Sequence, residues 1–138
     1  MKIYGIPHLM CAFRDYNNSY FNGVLPMPEF EITDSYKFFG YFHSNIYNNT
    51  IVNPLIQISG IWDYTESQFR DILVHEMIHY YLAYTGRDII GSHGDEFMSV
   101  AHKLNHDYGL NITETINYDE YTRREGTSKL KLWLSKLF

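Results

Sequence analysis

The stretch His75-Glu76-Met77-Ile78-His79 sets two histidines four residues apart, with a glutamate directly after the first. On a helix, such residues differ by about 40° of rotation and about 6 Å of rise, so both imidazoles can reach one ion from the same face. The glutamate then falls beside the ion's open position, where it can accept a proton from a bound water. This H-E-x-x-H pattern is typical of zinc metalloproteases and predicts Zn²⁺ as cofactor and Glu76 as the catalytic base.

The residues around this stretch predict that it is helical. Thr65 and Gln68 fit a capping box ahead of the run, and Gly86 stands where a helix would end, so we expect a helix over residues 66–84. The alternative is that two core or surface histidines fall four apart by chance. The glutamate between them and the well-formed helix favour the metal site. Apolar surface comes from Leu73, Val74, Met77, Ile78 and Leu82.

A catalytic zinc site usually has three protein ligands and keeps a fourth position for water, so a third ligand is required. His93 is the best candidate. It lies in a loop flanked by Gly91 and Gly94, which precedes another apolar-periodic segment. Such a loop can bring a side chain back across the first helix. The predicted metal ligands are therefore His75, His79 and His93.

The other four histidines and the cysteine are expected to lie outside the metal site. His102 and His106 are also four apart, but no acidic residue stands between them, so we expect them to decorate a partly exposed helix. His43 on a predicted strand and His8 near the start are expected to be ordinary polar or packing residues. Cys11 is the only cysteine, which excludes an internal disulfide, and we expect it to be a buried small apolar residue.

Residues from about Tyr16 to Asn111 resemble the SprT-like metallopeptidase domain, which bacterial SprT proteins share with the eukaryotic Spartan DNA-protein crosslink proteases. The resemblance implies that His93 provides the third zinc ligand. This is the same residue that the glycine-flanked loop indicates. It also implies a zincin-like fold. The matching residues are Tyr20-Phe21-Asn22 with Leu25-Pro26, Gly40-Tyr41-Phe42, Ile72 to Tyr80, and Ser92-His93-Gly94 with Glu96-Phe97.

The sequence departs from the family's usual pattern in three places. Ser92 stands where glycine is common and Asp95 where proline is common, and neither change disturbs a ligand at His93. Bacterial SprT proteins often carry a cysteine-rich zinc ribbon after the domain. Cys11 alone cannot build such a four-cysteine site, so we expect a minimal domain without the ribbon. The zinc chemistry is thus better supported here than the family's DNA-directed role.

Hydrophobic periodicity predicts an α+β fold. A first helix is expected from Pro7 to Asn22-Gly23, and a helix that ends at Gly109 is expected after the metal helix. Between residues 26 and 59 the spacing of the apolar residues changes to every second residue. This alternation predicts three strands, mostly antiparallel, in a meander. Pro54 predicts that the last strand is broken or lies at an edge. We expect this small sheet to pack with the three helices.

The domain organisation follows from length and patterning. We expect residues 1–112 of the 138-residue chain to form the SprT-like metallopeptidase domain and residues 113–138 a C-terminal extension packed on it. The polar residues 111–127 are expected to cross the surface as an irregular segment. From Lys129 to Phe138, apolar and lysine residues fall on opposite faces and predict a short basic amphipathic helix that docks its Trp133 face.

The charge distribution bears on the partners. Residues 123–138 hold five basic residues and one glutamate, a net +4, whereas the whole chain carries −5, so the remainder carries −9. An acidic body without a basic stripe is poorly suited to track a phosphate backbone, so the charge does not support DNA as a partner. The basic tail remains a candidate contact for DNA, a membrane surface or a partner protein. The expected partner is a protein or peptide substrate.

Together these features predict a zinc-dependent endopeptidase in which a metal-activated water hydrolyses the peptide bond. Tyr121 and Arg123 are candidates for stabilising the oxyanion, and the sequence does not choose between them. One alternative is a zinc-stabilised binding or interaction module without catalysis, and another is a DNA-triggered factor of SprT type. The amino terminus does not resemble a signal peptide and no stretch approaches the roughly 18 apolar residues of a membrane span, so a cytoplasmic location is expected.

Overall fold

Three helices and five strands make up the described part of the chain. The computed structural model describes residues 3, 5–88, 91–115 and 120–123. The predicted α+β class is confirmed, whereas the helix predicted from Lys129 to Phe138 lies outside the described residues. In chain order the elements are α1 (Ile6–Tyr20), β1 (Glu29–Thr33), β2 (Gly40–Tyr47), β3 (Thr50–Ser59), β4 (Trp62–Asp63), α2 (Glu66–Tyr84), α3 (Asp95–Tyr108) and β5 (Thr122–Arg123).

The three-stranded sheet is mixed, with β3 at its centre. β2 pairs with β3 in an antiparallel hairpin, but β1 pairs with the other side of β3 in a parallel manner. The predicted meander is therefore wrong. The reason lies in the connection between β1 and β2, which crosses the end of β3. There Ser59 donates its N–H to the carbonyl of Phe39 at 2.7 Å and its hydroxyl to the carbonyl of Ser35 at 2.7 Å.

Pro54 lies in the central strand, at a bulge. The pairing of β2 with β3 shifts register between His43 and Asn45, opposite Pro54, and the neighbouring Asn53 has a φ of 54°. The pairing with β1 begins only at Leu55. Because proline has no N–H to donate, a bulge is one of the few positions in a sheet that accommodate it. β3 continues through this bulge from Thr50 to Ser59 and lies at the centre of the sheet, so the strand is bulged rather than broken and the predicted edge position is wrong.

Helix α2 has the limits that its local signals predict. The Thr65 hydroxyl accepts the N–H of Gln68 at 3.1 Å, and the side-chain oxygen of Gln68 accepts the N–H of Thr65 at 2.9 Å, which completes the capping box. After Tyr84 the chain leaves the helix through Gly86, whose φ of 74° suits glycine. Its central turns, which carry the metal-site motif, are buried on all sides.

The other two helices are also confirmed. In α1, Phe13 packs edge-on against Phe30 of β1 with ring centroids 5.8 Å apart, and against Tyr80 of α2 at 6.3 Å. In α3, the apolar residues Phe97, Ala101 and Leu104 are buried. The two helices thus hold α2 against the sheet. Within the described residues, no helix combines the length and the apolar character needed to cross a membrane.

The segment after α3 returns along α2. β5 pairs with β4, and the Tyr121 ring packs against Phe39 with centroids 4.4 Å apart. The carbonyl of Glu120 accepts a hydrogen bond from the side chain of Gln68 at 2.9 Å. The first part of the predicted extension therefore lies against the amino-terminal end of the metal helix.

Candidate metal centre

Three imidazoles converge at one point. His75 and His79 lie one turn apart on α2, and His93 comes from the loop between α2 and α3. The Nε2 atom of His93 lies 3.0 Å from Nε2 of His75 and 3.0 Å from Nε2 of His79. Two nitrogens that bind one tetrahedral zinc at about 2.0 Å lie roughly 3.3 Å apart. The three side chains predicted from the sequence can therefore hold a metal ion together.

Burial keeps the two helix histidines neutral. Burial, followed by the charges of His79 and His93, lowers the pKa of His75 to about 3. Burial, followed by His93, lowers the pKa of His79 to about 4, against an opposing effect of Asp88. Both imidazoles are uncharged at neutral pH, and the neutral ring is the form that binds metal ions.

A buried phenylalanine packs against all three imidazoles. The ring of Phe97, in the first turn of α3, lies with its centroid 4.7 Å from His75, 4.7 Å from His79 and 4.9 Å from His93. A rigid ring in contact with all three imidazoles limits their rotation. Phe97 belongs to the apolar-periodic segment that follows the loop of His93, and the structure shows that its ring also contacts the imidazoles.

Glu76 is buried beside the histidines, against strand β2. Its side chain is 7% exposed, and burial raises its pKa to about 8. A cation held by the three imidazoles favours the ionised carboxylate. A Cβ atom at Gly40 would lie 3.0 Å from Cγ and 3.1 Å from Oε2 of Glu76, so β2 can approach this closely only because residue 40 has no side chain.

Asp88 organises the loop that carries His93. Its carboxylate accepts the N–H of Gly91 at 3.2 Å, the N–H of Ser92 at 3.2 Å and the hydroxyl of Ser92 at 2.7 Å. The N–H of Asp88 itself donates to the carbonyl of Leu82 at 3.1 Å. The loop is therefore tied to the carboxyl end of the metal helix, next to the site where His93 must return.

Gly40 and Asp88 are functional candidates that sequence reasoning missed. Gly40 lies in the stretch Gly40-Tyr41-Phe42 that resembles the family, but its contact with Glu76 joins residues distant along the chain, and Asp88 acts through backbone groups outside any matching stretch. For Gly40, the available signal was a glycine at the start of an aromatic strand, which often indicates a close approach. For Asp88, the signal was an aspartate three and four residues before Gly91 and Ser92, a spacing that suits side-chain to backbone hydrogen bonds.

Two clefts reach the histidines. The first, of about 190 Å³, lies between Gly40, Tyr41 and Phe42 of β2 and the cluster of three histidines with Glu76. The second, of about 470 Å³, lies between the first half of α2 and the segment after α3, and it reaches His75 alone among the three histidines. Glu76 lines only the first cleft. A ligand that lies along β2 therefore meets both the carboxylate and the three imidazoles.

The other histidines have the surroundings expected from the sequence. His102 and His106 are exposed on α3, and in the described part of the chain neither belongs to a cluster suited to a metal ion. His43 is exposed on β2 and forms a 2.7 Å hydrogen bond with the side chain of Gln57. His8 stacks on Phe69 with ring centroids 5.3 Å apart. The predicted exposure of His102 and His106 on a helix, and the polar or packing contacts predicted for His43 and His8, are confirmed.

The prediction for Cys11 is wrong, because the residue is exposed. The buried side chains of α1 are Leu9, Phe13 and Asn17, which recur every four residues along one stripe. Cys11 lies two residues after Leu9, or about 200° around the helix, so its side chain faces solvent.

Of the two oxyanion candidates, Tyr121 lines the larger cleft together with His75. Burial, followed by the charges of Asp71 and Glu120, raises the pKa of Tyr121 to about 12, so its hydroxyl stays protonated and can donate a hydrogen bond. Arg123 lies in β5 opposite Trp62 and lines neither of the two clefts.

The fold and the site define a class of protein. A buried helix supplies two histidines and a glutamate, and a third histidine returns from the next loop, which is the arrangement of a metallopeptidase-type metal-binding domain. The model of the SprT-like family matches residues 9–116, and the chain belongs to this family. The resemblance noted from the sequence is thereby confirmed. No curated protein matches the chain significantly.

Substitution of Asp88 by Ala is expected to weaken zinc binding about tenfold or more, because it releases the loop that brings His93 to the helix. Zinc affinity is to be measured by competition with a chromogenic chelator. Asp15→Ala, which changes an exposed aspartate on α1, is the control for loss of one negative charge. An Asp88→Ala protein that is folded and binds zinc as tightly as the Asp15→Ala protein would contradict this role.

Proposed function

We propose that the chain is a zinc-dependent endopeptidase. The observation that carries the proposal is the position of Glu76, a buried carboxylate beside three converging imidazoles and inside the cleft along β2. General acid-base groups of hydrolases are commonly carboxylates whose pKa is altered by burial near the reacting atoms. The family membership of the chain agrees with this chemistry.

The donor set fits zinc. His75, His79 and His93 offer three nitrogens, and a three-nitrogen set is typical of catalytic zinc sites, in which the remaining position serves water or substrate. When bound, zinc supplies the Lewis acidity that polarises a carbonyl and makes a water more acidic. Among the described residues, the cluster of ionisable side chains suited to a metal ion consists of these three histidines.

Glu76 moves the proton during hydrolysis. Its carboxylate accepts a proton from the water that attacks the scissile carbonyl, and the same proton then passes to the nitrogen of the leaving amine as the C–N bond breaks. The products are a carboxylic acid and an amine. The close approach of Gly40 holds the Glu76 side chain within the cleft, and the buried surroundings limit exchange of this proton with bulk water.

The substrate is proposed to lie along β2. Among the described strands, β2 lies at an edge of the three-stranded sheet. One side of its backbone therefore forms no hydrogen bonds with another strand of this sheet. An extended peptide can add to such an edge through main-chain hydrogen bonds, which select an extended backbone rather than a particular sequence. Tyr41 is half exposed on this strand and lines the same cleft as Glu76, so it is available to contact a bound peptide.

The central experiment compares the zinc-loaded chain with its Glu76→Gln variant on an unstructured protein substrate. Glutamine keeps the size of the side chain but cannot accept the proton, so we expect zinc binding to persist and turnover to fall by about 10²-fold or more. Glu29→Gln, an exposed change on β1, is the matched control. Cleavage by Glu76→Gln at the wild-type rate would remove this glutamate from the mechanism.

The same assay is run with and without single-stranded DNA to separate two forms of the proposal. Cleavage that requires DNA places the activity on DNA-associated proteins and directs attention to the basic residues 123–138. Cleavage without DNA identifies a free-standing peptidase on the same scaffold. Zinc-loaded protein that cleaves no substrate in either condition would support the alternative of a zinc-stabilised interaction module.

Substitution of His79 by Ala is expected to abolish stoichiometric zinc binding, since two imidazoles hold zinc far more weakly than three. Zinc content per chain is to be measured by elemental analysis after dialysis. His102→Ala removes an exposed histidine from α3 and is expected to keep full zinc content. Full occupancy in the His79→Ala protein would exclude His79 as a ligand.

Substitution of Gly40 by Ala tests the contact between β2 and Glu76. The added Cβ would lie 3.0 Å from Cγ of Glu76 and must displace the carboxylate, while no atom of the three histidines is among its nearest contacts. At these distances Glu76 must give way by a few tenths of an ångström, so we expect unchanged zinc content and a loss of kcat of about tenfold or less. Asn45→Ala on the same strand is the control. Wild-type kcat in Gly40→Ala would show that the approach is not needed.

A further inference from the structure

The hairpin of β2 and β3 extends beyond the three-stranded part of the sheet. β1 pairs with β3 only over residues 55–59, whereas the pairing of β2 with β3 continues to Tyr47, opposite Thr50. Residues 45–52 therefore form a two-stranded arm. At the other end of β2, the residues from Gly40 to Phe42 line the cleft of Glu76. One strand thus connects the candidate metal centre with the arm.

β2 stays regular where β3 is bulged. Between the pairs His43–Leu55 and Asn45–Val52, β2 advances by two residues and β3 by three, so the extra residue of the bulge lies in β3. A peptide that pairs with β2 in the cleft can therefore continue along the same edge into the arm. The eight residues of β2 span about 27 Å, and only its first three line the cleft.

The edge of β2 lacks the usual protection against pairing with another strand. Natural edge strands commonly carry charged side chains or proline, which keep other chains away. Asp, Glu, Lys and Arg make up 20% of the whole chain, yet none of them occurs between Phe38 and Trp62. The single proline of this hairpin, Pro54, lies in β3. The free edge of β2 is thus suited to accept an added strand.

The arm also exposes apolar side chains. Ile46 is 62% exposed and Tyr47 is 67% exposed, the highest values among the large hydrophobic side chains of the described residues. Neighbouring residues of a strand point to opposite faces, so these two side chains can meet side chains of an added strand on both faces. The turn that joins the strands is tight, with φ values of 51° and 61° at Asn48 and Asn49.

We propose that the free edge of β2 and the arm form a docking site for an extended, uncharged and apolar-rich segment of the protein substrate. The proposal rests on the proposed function, because the cleft of Glu76 places the scissile bond at the start of β2. Continuity of the strand with this cleft identifies the substrate as the occupant. Since the arm lies to one side of the cleft, it contacts substrate residues on one side of the scissile bond. Backbone pairing selects unstructured segments, whose N–H and C=O groups are not already paired.

The first test measures binding without turnover. The zinc-loaded Glu76→Gln protein is titrated with fluorescein-labelled peptides of Ser, Thr and Val, one of about six residues and one of about twelve, and fluorescence anisotropy gives the dissociation constants. We expect the longer peptide to bind about tenfold more tightly, because it reaches the arm. A longer peptide with proline at alternate positions cannot donate to the edge and is expected to lose this gain.

The second test changes the arm. In the same Glu76→Gln protein, Ile46→Asp and Tyr47→Asp each remove an exposed apolar side chain and add a charge. We expect them to abolish most of the gain of the longer peptide and to leave the affinity for the shorter peptide unchanged. Tyr108→Asp makes the same change at an exposed tyrosine of α3 and is the matched control. Urea unfolding of each protein measures its stability separately.

Equal affinities for the two peptides, or a gain that both arm variants retain, would overturn the proposal. Sedimentation velocity tests a second copy of the chain as the occupant. Self-association that the arm variants abolish, without length-dependent peptide binding, would also overturn the proposal. Length-dependent binding by a wild type that cleaves no substrate would contradict the endopeptidase alone. In an active wild type, the arm variants are expected to raise KM for a long unstructured substrate and to leave kcat unchanged.

Discussion

The burial of two imidazoles and one carboxylate in the central turns of α2, with a third, partly buried imidazole at their flank, is the constraint on which the rest of the structure depends. Buried polar and ionisable groups destabilise a fold unless partners compensate them. Here the compensation comes from distant parts of the chain: Phe97 packs against the imidazoles, and β2 covers Glu76. A stretch with four such groups would not be retained for packing alone, since aliphatic side chains would serve the core better.

Each member of the site is held by a different element. The loop with His93 is anchored by Asp88 after the end of α2, whereas His75 and His79 pack against Phe97 of α3 and Glu76 lies against the first residue of β2. The site therefore forms only when helix, sheet and both later segments are in place together. This dependence couples the local geometry to the whole fold, and it explains why the family model spans most of the chain although the motif itself is short.

What could be predicted from the sequence was local. The limits of α2 followed from the capping box at Thr65 and from Gly86, and His93 was selected by a glycine-flanked loop and by the family resemblance. The strand order could not be obtained in this way, because the parallel pairing of β1 depends on contacts of Ser59 with a connection far along the chain. The burial predicted for Cys11 was wrong, because the exposure of a single side chain depends on how its helix is rotated against the core. Gly40 lies in a stretch that resembles the family, but its contact with Glu76, like the contacts of Asp88 with the loop of His93, exists only after folding.

The arrangement of the site bears on whether it is structural or catalytic. A structural zinc site is closed by four protein ligands and has no use for an additional carboxylate, whereas a catalytic site keeps one position for water and places a base beside it. In the described part of the chain, three histidines converge, and the fourth side opens on the cleft that Glu76 and Gly40 line. Burial of Glu76 disfavours its charge in the metal-free protein, which is a cost that an interaction module would have no reason to retain. The same carboxylate lies beside three histidines that could hold a cation, in a cleft along an edge strand, which is the position that the proposed peptide hydrolysis would use.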